Sequence, residues 1–212
     1  MVNSDARRVR TMKRIAVLAS GRGSNFQSVI DAIRKGTIPA VCERLVTDNP
    51  HAPAIARAQK AGIPVSIVPF GTFGSKERFE QELLSVMQGI DPDLFILAGY
   101  MRILGSSVVR EFSGKIINIH PALLPSFPGL HAQRQTIAYG AKVSGCTVHF
   151  VDEGTDTGPI IMQRCVPVRE DDDEYTLAAR ILRKEHRALV EAVRLFCEGK
   201  IRIQGRTVKI LI

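Results

Sequence analysis

The sequence predicts a single α/β domain with a mostly parallel central sheet, helices on both faces of the sheet and an antiparallel C-terminal part. In the first half of the chain, short apolar runs alternate with stretches in which apolar residues recur at helical spacing. In the second half, two longer β segments joined by an acidic, glycine-containing turn precede one long helix. With 212 residues, 45% of them hydrophobic, the chain is large enough to bury the core of one domain.

The first half contains five predicted strands, all short and apolar, at residues 15–19, 40–46, 64–68, 93–98 and 115–120. Helical periodicity occupies the intervals, in a first helix marked by Phe26, Val29, Ile30 and Ile33, a second at 54–61, a third that opens near Ser75 and a short fourth at 106–112. Strands that alternate with helices in this way form a largely parallel sheet, because each helix carries the chain back across one face.

The second half follows a different pattern. The segments 144–151 and 160–168 are predicted to pair antiparallel across the acidic turn. A long helix is predicted at 173–197, and the tail 201–211 alternates around Gly205 and Arg206 in the manner of a terminal hairpin. The sequence has no Pro/Ser-rich stretch between the halves, so residues 13–212 are treated as one domain after a flexible basic leader at 1–12.

The formal net charge of +8 is concentrated at the start of the chain. Five basic residues and one acidic residue within the first 14 positions supply half of that charge. A solvated tail is favoured over a nucleic-acid-binding surface, because the chain has no recognisable nucleic-acid motif and only three Tyr and no Trp to stack on bases. We therefore expect no nucleic-acid partner, and a mildly basic body suits a phosphorylated or polycarboxylate substrate.

The longest apolar runs are strand-sized, far below the ~20 residues that cross a bilayer, so no membrane partner is expected. The four cysteines are widely spaced, with neither a Cys-x-x-Cys pair nor a ligand cluster with histidines, at Cys42, Cys146, Cys165 and Cys197. Reduced thiols in the cytoplasm and the absence of a metal site are the expectation.

The segment 118–125, Asn-Ile-His-Pro-Ala-Leu-Leu-Pro, delivers an amide and an imidazole to the end of a predicted buried strand. Asn118 and His120 share a face, because residues i and i+2 of a strand point the same way, and Pro121 ends the pairing. Ligands of open α/β sheets bind beyond the carboxyl ends of the strands. The two residues are therefore candidate catalytic groups, although a lone histidine at a strand end is more often a hydrogen-bonded structural residue.

The glycine-rich turn 21–25 lies between the first strand and the first helix, where free N–H groups of a helix N-terminus attract anions. Its spacing matches neither a dinucleotide fingerprint nor a P-loop. Two interpretations are equally favoured: a phosphate site, or a tight turn in which Ser24 or Asn25 caps the helix.

The turn 152–158 concentrates three carboxylates after a strand. Most such turns only satisfy their own backbone. If Asp156 reaches His120, however, it favours the imidazolium and raises the pKa of His120 toward the working pH, as a general acid or base requires.

In the long helix, Glu185 falls within an apolar stripe formed by Ala178, Leu182, Leu189, Val193 and Phe196. A buried carboxylate needs a partner, which is either a protein cation or the amine or hydroxyls of a ligand. Two histidines near these elements, His186 and His149, are predicted to be structural.

The sequence contains no Gly-x-Ser-x-Gly elbow and no recognisable cysteine nucleophile. The set Asn118, His120 and Asp156 suits direct acyl transfer, in which the amide polarises a carbonyl and stabilises the developing oxyanion while the imidazole manages protons. A covalent enzyme intermediate is not required.

From residue 13 to residue 195 the chain resembles the phosphoribosylglycinamide formyltransferases, the folate-dependent GAR transformylase family of purine synthesis. Five segments in the same order carry the resemblance: 20–25 (SGRGSN), 98–104 (AGYMRIL), 118–121 (NIHP), 123–131 (LLPSFPGLH) and 156–161 (DTGPII). The resemblance implies a Rossmann-like formyltransferase fold. It also implies transfer of the formyl group of 10-formyltetrahydrofolate, the co-substrate, to the amine of glycinamide ribonucleotide (GAR), without a metal.

The resemblance implies residue roles as well. Asn118, His120 and Asp156 would be catalytic, and GAR would be bound by Gly23, Ser24, Asn25 and Glu185, the first three chiefly through its phosphate. The folate site would consist of Lys76, Met101, Arg102, Ile103, Leu104, Asn118, Asp152, Glu153, Gly154, Thr155 and Asp156. The family often has Arg at the Lys76 position. On this basis the half 13–120 binds the nucleotide phosphate, and the half 121–212 completes the folate site.

Related enzymes share the Asn-x-His and Leu-Pro elements. Formyltetrahydrofolate deformylase, a hydrolase and the alternative function, usually carries an N-terminal regulatory domain, and methionyl-tRNA formyltransferase usually adds a C-terminal barrel; neither addition is expected here. A non-enzymatic folate- or nucleotide-binding module is disfavoured by the intact Asn118, His120 and Asp156. The expected partners are the two small-molecule substrates, and the expected assembly is a monomer or homodimer.

Overall fold

The computed structural model describes residues 12–211, so all but the last residue of the predicted basic leader lies outside the described part of the chain. The helices in chain order are α1 (Ser24–Arg34), α2 (Ala54–Ala61), α3 (Lys76–Ile90), α4 (Ser106–Glu111), α5 (Ala132–Tyr139) and α6 (Glu174–Cys197). The strands are β1 (Lys13–Leu18), β2 (Ala40–Thr47), β3 (Val65–Ile67), β4 (Leu94–Leu97), β5 (Ile116–His120), β6 (Val143–Phe150), β7 (Ile160–Pro167), β8 (Ile201–Gln204) and β9 (Thr207–Ile210).

The central sheet has the strand order β3-β2-β1-β4-β5-β6-β7. The first five strands pair parallel, whereas β6 runs antiparallel to β5 and β7 antiparallel to β6. The last two strands form a separate antiparallel hairpin. The predicted α/β class, with a mostly parallel sheet and an antiparallel C-terminal part, is confirmed.

Helices cover both faces of this sheet because its central strands are apolar on both sides. In β1, Ile15 and Val17 pack on the face covered by α1, α2 and α6, while Ala16 and Leu18 pack on the face covered by α3 and α4. All four side chains are fully buried. Near-continuous apolar strands are typical of a sheet that is covered on both faces.

The observed helices and strands lie within two residues of the predicted ones wherever a prediction was made. Two observed elements had no predicted counterpart: α5 and a 3-10 turn at Phe70–Thr72. The helix α5 buries only Ala132 and Thr136, so it lacks the apolar stripe from which a helix is inferred. Within residues 12–211, no helix combines the length and apolar character needed to cross a membrane.

The carboxyl ends of β1 and β4 form the topological switch point of the sheet. The chain leaves β1 toward β2 on one side, and β4 lies on the other side of β1, so the two following loops diverge. Ser20 holds those loops together, because its amide donates to the Gly99 carbonyl at 3.1 Å and its hydroxyl accepts from the Met101 amide at 2.9 Å. Both predicted binding regions therefore begin at the carboxyl ends of the central strands.

Candidate active site

A cavity of about 570 Å³ opens at the carboxyl ends of β4 and β5. Its walls come from the loop after β4, the end of β5, the loop that follows β5, and the loop between β6 and β7. The lining includes the predicted residues Met101, Arg102, Ile103, Leu104, Asn118, His120, Asp152, Gly154, Thr155 and Asp156. Much of the rim is apolar and open to solvent, since Met101, Ile103 and Leu130 are each more than half exposed. A flat, partly apolar ligand with polar ends suits such a cavity.

The end of β5 brings Asn118 and His120 to the cavity on one face, as the i, i+2 spacing predicts. Antiparallel pairing with β6 then places His149 opposite Asn118 and Thr147 opposite His120. Opposed residues in adjacent strands project to the same side of a sheet. The cavity therefore receives groups from two strands.

Asp156 lies at the centre of the polar cluster. One carboxylate oxygen, Oδ2, accepts from the Gly129 amide at 2.8 Å and lies 3.3 Å from His120 Nδ1. The other, Oδ1, accepts from Asn118 Nδ2 at 3.3 Å. Burial acts to raise the pKa of Asp156, but His149, the Gly129 amide and His120 together hold that pKa below its ordinary value. Asp156 is therefore a carboxylate at neutral pH.

The backbone at the cluster is unusual. Asp156 has a φ of 55° and Phe127 a φ of 56°, in the left-handed region that side chains other than glycine rarely adopt. Such conformations persist where the surroundings hold them, and they concentrate at functional sites. Here the strained backbone presents the Asp156 carboxylate and the Phe127 carbonyl to the same imidazole.

The protonation of His120 differs from the sequence-based prediction. Burial lowers the pKa of His120, and neither Asp156 nor the hydrogen bond to the Phe127 carbonyl offsets this effect. The predicted upward shift is therefore wrong: Asp156 does reach His120, but desolvation of the imidazolium outweighs its charge. His120 Nε2 lies 2.8 Å from the Phe127 carbonyl, which can only accept, so Nε2 carries the proton of the neutral ring. Nδ1 faces Asp156 Oδ2 at 3.3 Å and can donate to that carboxylate only when the ring is protonated.

His149 was interpreted as a structural residue, but it belongs to the cluster. Its Nδ1 lies 2.8 Å from the Phe150 carbonyl, so Nδ1 carries the proton of the neutral ring. Its Nε2 lies 3.2 Å from Asn118 Nδ2 and 3.5 Å from Asp156 Oδ1. In the neutral ring Nε2 accepts from Asn118; in the imidazolium it donates toward Asp156. The register of β5 against β6 places His149 opposite Asn118, and sequence alone did not define that register.

Asn118 is oriented by these two acceptors. The Asp156 carboxylate requires a donor, as does Nε2 of His149 in the neutral ring, so the amide nitrogen of Asn118 faces them and the amide oxygen faces away. Both N–H groups of Asn118 are then engaged within the protein. Stabilisation of a substrate oxyanion by Asn118 requires that one of these N–H groups turn to the ligand.

The predicted GAR residues form a second group, beside the cavity rather than on its walls. The helix α1 begins after Gly23, which has a φ of 67°, and no side chain caps it. The interpretation in which Ser24 or Asn25 caps the helix is therefore wrong; both residues lie in its first turn. A Cβ atom at Gly23 would lie only 2.7 Å from the Ala54 Cβ, so the turn requires glycine on both conformational and steric grounds.

Glu185 finds its partner in Asn25. The Asn25 side-chain amide donates to Glu185 Oε2 at 2.7 Å, and only 7% of Glu185 is exposed. Burial raises the pKa of Glu185, and the Asn25 hydrogen bond opposes that rise without cancelling it. The buried Asn25 Oδ1 has no hydrogen-bond partner within the described residues. The Asn25–Glu185 pair, with Asn25 Oδ1 still able to accept a hydrogen bond, lies next to the helix N-terminus. This arrangement suits a ligand that carries both hydroxyls and an anionic group.

Two predicted folate residues do not line the cavity. Lys76 pairs with Glu80 at 3.5 Å and Glu153 pairs with Arg110 at 3.0 Å, both at the surface. Arg102 does line the cavity, and its position is supported by an ion pair with the buried Asp48 at 2.9 Å and by stacking over the Phe70 ring at 4.0 Å. Within residues 12–211, no group of three or more acidic, His or Cys side chains is arranged to hold a metal ion.

Comparison with known proteins relates this geometry to a family. Residues 13–193 match the family model described as formyl transferase. The phosphoribosylglycinamide formyltransferase of Bacillus subtilis is 43% identical over 176 residues, which cover 83% of this chain and 90% of that protein. The crystal structure of glycinamide ribonucleotide transformylase 1 from Symbiobacterium toebii superposes with a TM-score of 0.92 at 46% identity, covering 95% of each chain.

A longer relative matches equally well. The trifunctional purine biosynthetic protein adenosine-3 of Drosophila melanogaster is 46% identical over 189 residues, which cover 88% of this chain. The matched region is 14% of that protein, so the chain spans about one seventh of the trifunctional relative.

Proposed function

Because this chain belongs to the formyl transferase family, we propose that it transfers the formyl group of 10-formyltetrahydrofolate to the amine of GAR, giving formyl-GAR in purine biosynthesis. The observation that carries the proposal is that two different half-sites, the cavity and the start of α1, adjoin at the switch point of the sheet. An apolar-rimmed cavity contains Asn118, His120 and Asp156. A glycine turn at a helix N-terminus, with a buried Asn25–Glu185 pair, lies on the neighbouring loop.

The nucleotide half-site supports a phosphorylated, hydroxyl-bearing amine as acceptor. The uncapped first turn of α1, with Gly23, Ser24 and Asn25, suits the phosphate, because free backbone N–H groups and the helix dipole both favour an anion. Glu185, buried beside Asn25, would accept hydrogen bonds from hydroxyls of the same ligand. Binding of these hydroxyls would explain why Glu185 interrupts the apolar stripe of α6.

The cavity supports the formyl donor. Its apolar rim, formed in part by Met101 and Ile103, suits a pterin ring, and the free end of the Arg102 guanidinium suits a carboxylate. The acidic loop with Asp152, Gly154, Thr155 and Asp156 closes the wall next to the catalytic groups. Lys76 and Glu153 lie outside this wall, so their contribution would be electrostatic or would require movement.

The chemistry needs one bond made, one bond broken and one proton moved. The amine nitrogen attacks the formyl carbon, the bond from that carbon to N10 of the folate breaks, and the proton lost by the amine is gained by N10. Because the Phe127 carbonyl holds the Nε2 proton of His120, Nδ1 is the nitrogen that can take up and return a proton. The resulting imidazolium would lie 3.3 Å from the Asp156 carboxylate, which stabilises it.

The oxyanion formed on attack needs a positive or hydrogen-bonding partner. An Asn118 N–H released from His149 can serve, and the His120 imidazolium adds positive charge within the buried polar cluster. His149 then works as the group that holds Asn118 before substrate arrives. We propose in addition a cytoplasmic location, a monomer or homodimer, and no metal, nucleic-acid or membrane partner.

The test follows both products from one incubation. The protein is mixed with 10-formyltetrahydrofolate, with and without GAR, and deformylated folate and formyl-GAR are quantified. Formation of both in equal amounts, only when GAR is present, supports the transferase. Deformylation without GAR would establish the deformylase instead, and no turnover in either mixture would leave a binding module.

A further inference from the structure

A row of three polar side chains crosses the antiparallel part of the sheet. His120 of β5 lies opposite Thr147 of β6, and Thr147 lies opposite Gln163 of β7. Side chains opposed in this way share one face of the sheet. The row therefore joins a residue of the cavity wall to two residues that do not line the cavity. Thr147 is fully buried and Gln163 is partly buried.

Thr147 and Gln163 bind the start of the loop 121–131, which follows His120. The Thr147 hydroxyl donates to the Ala122 carbonyl at 2.7 Å and accepts from the Leu124 amide at 3.0 Å. The Gln163 side-chain amide donates to the Leu124 carbonyl at 2.9 Å and to the Thr147 hydroxyl at 3.0 Å. These bonds use the single donor and both lone pairs of the hydroxyl and both hydrogens of the amide.

The same loop supplies two backbone groups to the catalytic cluster. The Phe127 carbonyl lies 2.8 Å from His120 Nε2, and the Gly129 amide donates to Asp156 Oδ2 at 2.8 Å. Both groups lie within five positions after Leu124. Because Phe127 is held at a positive φ, its carbonyl direction depends on support from the surrounding structure.

We propose that Gln163, acting through Thr147 and the loop 121–131, is a positioning residue that determines which nitrogen of His120 carries the proton. The anchor holds the loop, and the loop aims the Phe127 carbonyl at Nε2. With Nε2 carrying a fixed proton, Nδ1, which faces Asp156 at 3.3 Å, is the nitrogen that exchanges protons. This role rests on the proposed transfer reaction for its kinetic consequence, but its effect on the His120 ring does not depend on any substrate.

Loss of the anchor has a defined direction. In Gln163→Met the Leu124 carbonyl and one lone pair of the Thr147 hydroxyl lose their donor, so the loop can move and the bond from Nε2 to Phe127 weakens. That bond favours the protonated ring, so the pKa of His120 falls further when it weakens. The other titratable groups that face His120, Asp156 from the acidic loop and His149 from β6, are retained.

The experiment uses the full chain with four variants. Gln163→Met and Thr147→Val remove the anchor, whereas Thr147→Ser keeps its hydroxyl. Arg164→Met is the control on the same strand: Arg164 projects to the opposite face and pairs with Glu191 at 2.6 Å, away from the loop. The readouts are kcat, the KM of each substrate, the pH profile of kcat/KM, and the ¹⁵N chemical shifts of the His120 ring without substrate.

We expect Gln163→Met and Thr147→Val to lower kcat by about tenfold to a hundredfold, the cost of a misplaced catalytic group. The KM of GAR should stay within about twofold, because Glu185 and the helix N-terminus are untouched. The acid limb of the pH profile should move to lower pH, and the ring shifts should show loss of the fixed Nε2–H form. Thr147→Ser should restore both, and Arg164→Met should alter neither.

Unchanged ring shifts and an unchanged pH profile in Gln163→Met would overturn the proposal, whatever happens to thermal stability. A purely structural role would lower the melting temperature of Gln163→Met and Thr147→Val without moving the pH profile or the ring shifts. Failure of the transfer proposal looks different: the wild type would then form no formyl-GAR. The ring shifts would still decide the role of Gln163 in that case.

Discussion

His120 and Asp156 meet at 3.3 Å, from Nδ1 to Oδ2, in a site where burial and charge act on the imidazole in opposite directions. Burial prevails, so the resting ring is neutral beside an ionised carboxylate. When His120 takes up a proton during the reaction, the nearby Asp156 carboxylate stabilises the imidazolium. A base that is free at neutral pH and is stabilised only after protonation suits a transient proton transfer.

The first prediction concerns the imidazole itself. His120→Ala should reduce formyl transfer by about 10²-fold to 10⁴-fold, the usual contribution of general acid–base catalysis. The KM of GAR should change little, because the proposed nucleotide half-site is formed by the start of α1 and by Glu185 of α6. Steady-state kinetics with both substrates measure this. The matched control is His51→Ala, an exposed histidine outside the cavity, and an active His120→Ala enzyme would remove the assigned role.

A second prediction links the same histidine to stability. Since burial lowers the pKa of His120, the unfolded chain binds more protons than the folded one between that lowered pKa and 6.5. The free energy of unfolding should therefore rise with pH across this window and level off above it. Burial lowers the pKa of His186 as well, so both histidines contribute in the same direction.

The measurement is urea unfolding between about pH 5 and pH 7, near the ordinary histidine pKa. His120→Gln should flatten the rise in part, and the pair His120→Gln with His186→Gln should flatten it further. His51→Gln is the exposed control and should follow the wild type. A slope unaffected by His120→Gln would mean that the ring is not buried as neutral imidazole.

Glu185 provides the third prediction. Glu185→Gln should raise the KM of GAR by about 10-fold to 100-fold, the value of a hydrogen bond to a charged group, and leave the KM of the folate near that of wild type. Because burial raises the pKa of Glu185, the folded state favours its protonated form, and this stabilisation is lost as the pH rises through the raised pKa.

The neutral amide in Glu185→Gln has no such loss, so above that pH the variant should unfold at a denaturant concentration equal to or higher than that of the wild type. Titration calorimetry with GAR separates binding from catalysis. Glu191→Gln, on the same helix but paired with Arg164 at the surface, is the matched control. Equal GAR affinity in Glu185→Gln and Glu191→Gln would contradict the placement of the nucleotide.

The fourth prediction uses two glycines of one turn. Gly23→Ala should destabilise the fold by about 1 to 3 kcal/mol, because alanine would adopt a positive φ and its Cβ would lie 2.7 Å from the Ala54 Cβ. GAR binding should weaken with it, because the first turn of α1 would shift. Gly21→Ala is the control: its φ is not positive and a Cβ there has no neighbour within 4 Å.

Chemical unfolding and GAR titration of both glycine variants give the answer. Gly21→Ala should change the free energy of unfolding by about 0.5 kcal/mol or less, as most substitutions without such contacts do. If both variants lost GAR binding equally, the turn as a whole would be involved and the specific role of Gly23 would be wrong.

The site residues differ in how far sequence could predict them. Asn118 and His120 followed from local rules, because the strand alternation and Pro121 both act within a few residues. Glu185 followed from a break in the helical stripe. His149 was assigned a structural role, since its place opposite Asn118 depends on the register between two strands about 30 positions apart.

The chain's pattern by itself determined the succession of strands and helices along the chain except α5, the covered parallel sheet, and the end of the strands at which the candidate site residues gather. These features follow from local spacing of apolar residues, proline and glycine, which act through the nearest turns of chain. Only the tertiary structure decided that His120 is neutral, that Asn118 has both N–H groups engaged, and that Gln163 supports the loop behind them. Each depends on burial and on hydrogen bonds between segments distant in sequence, so the net effect appears only when all the neighbours are in place.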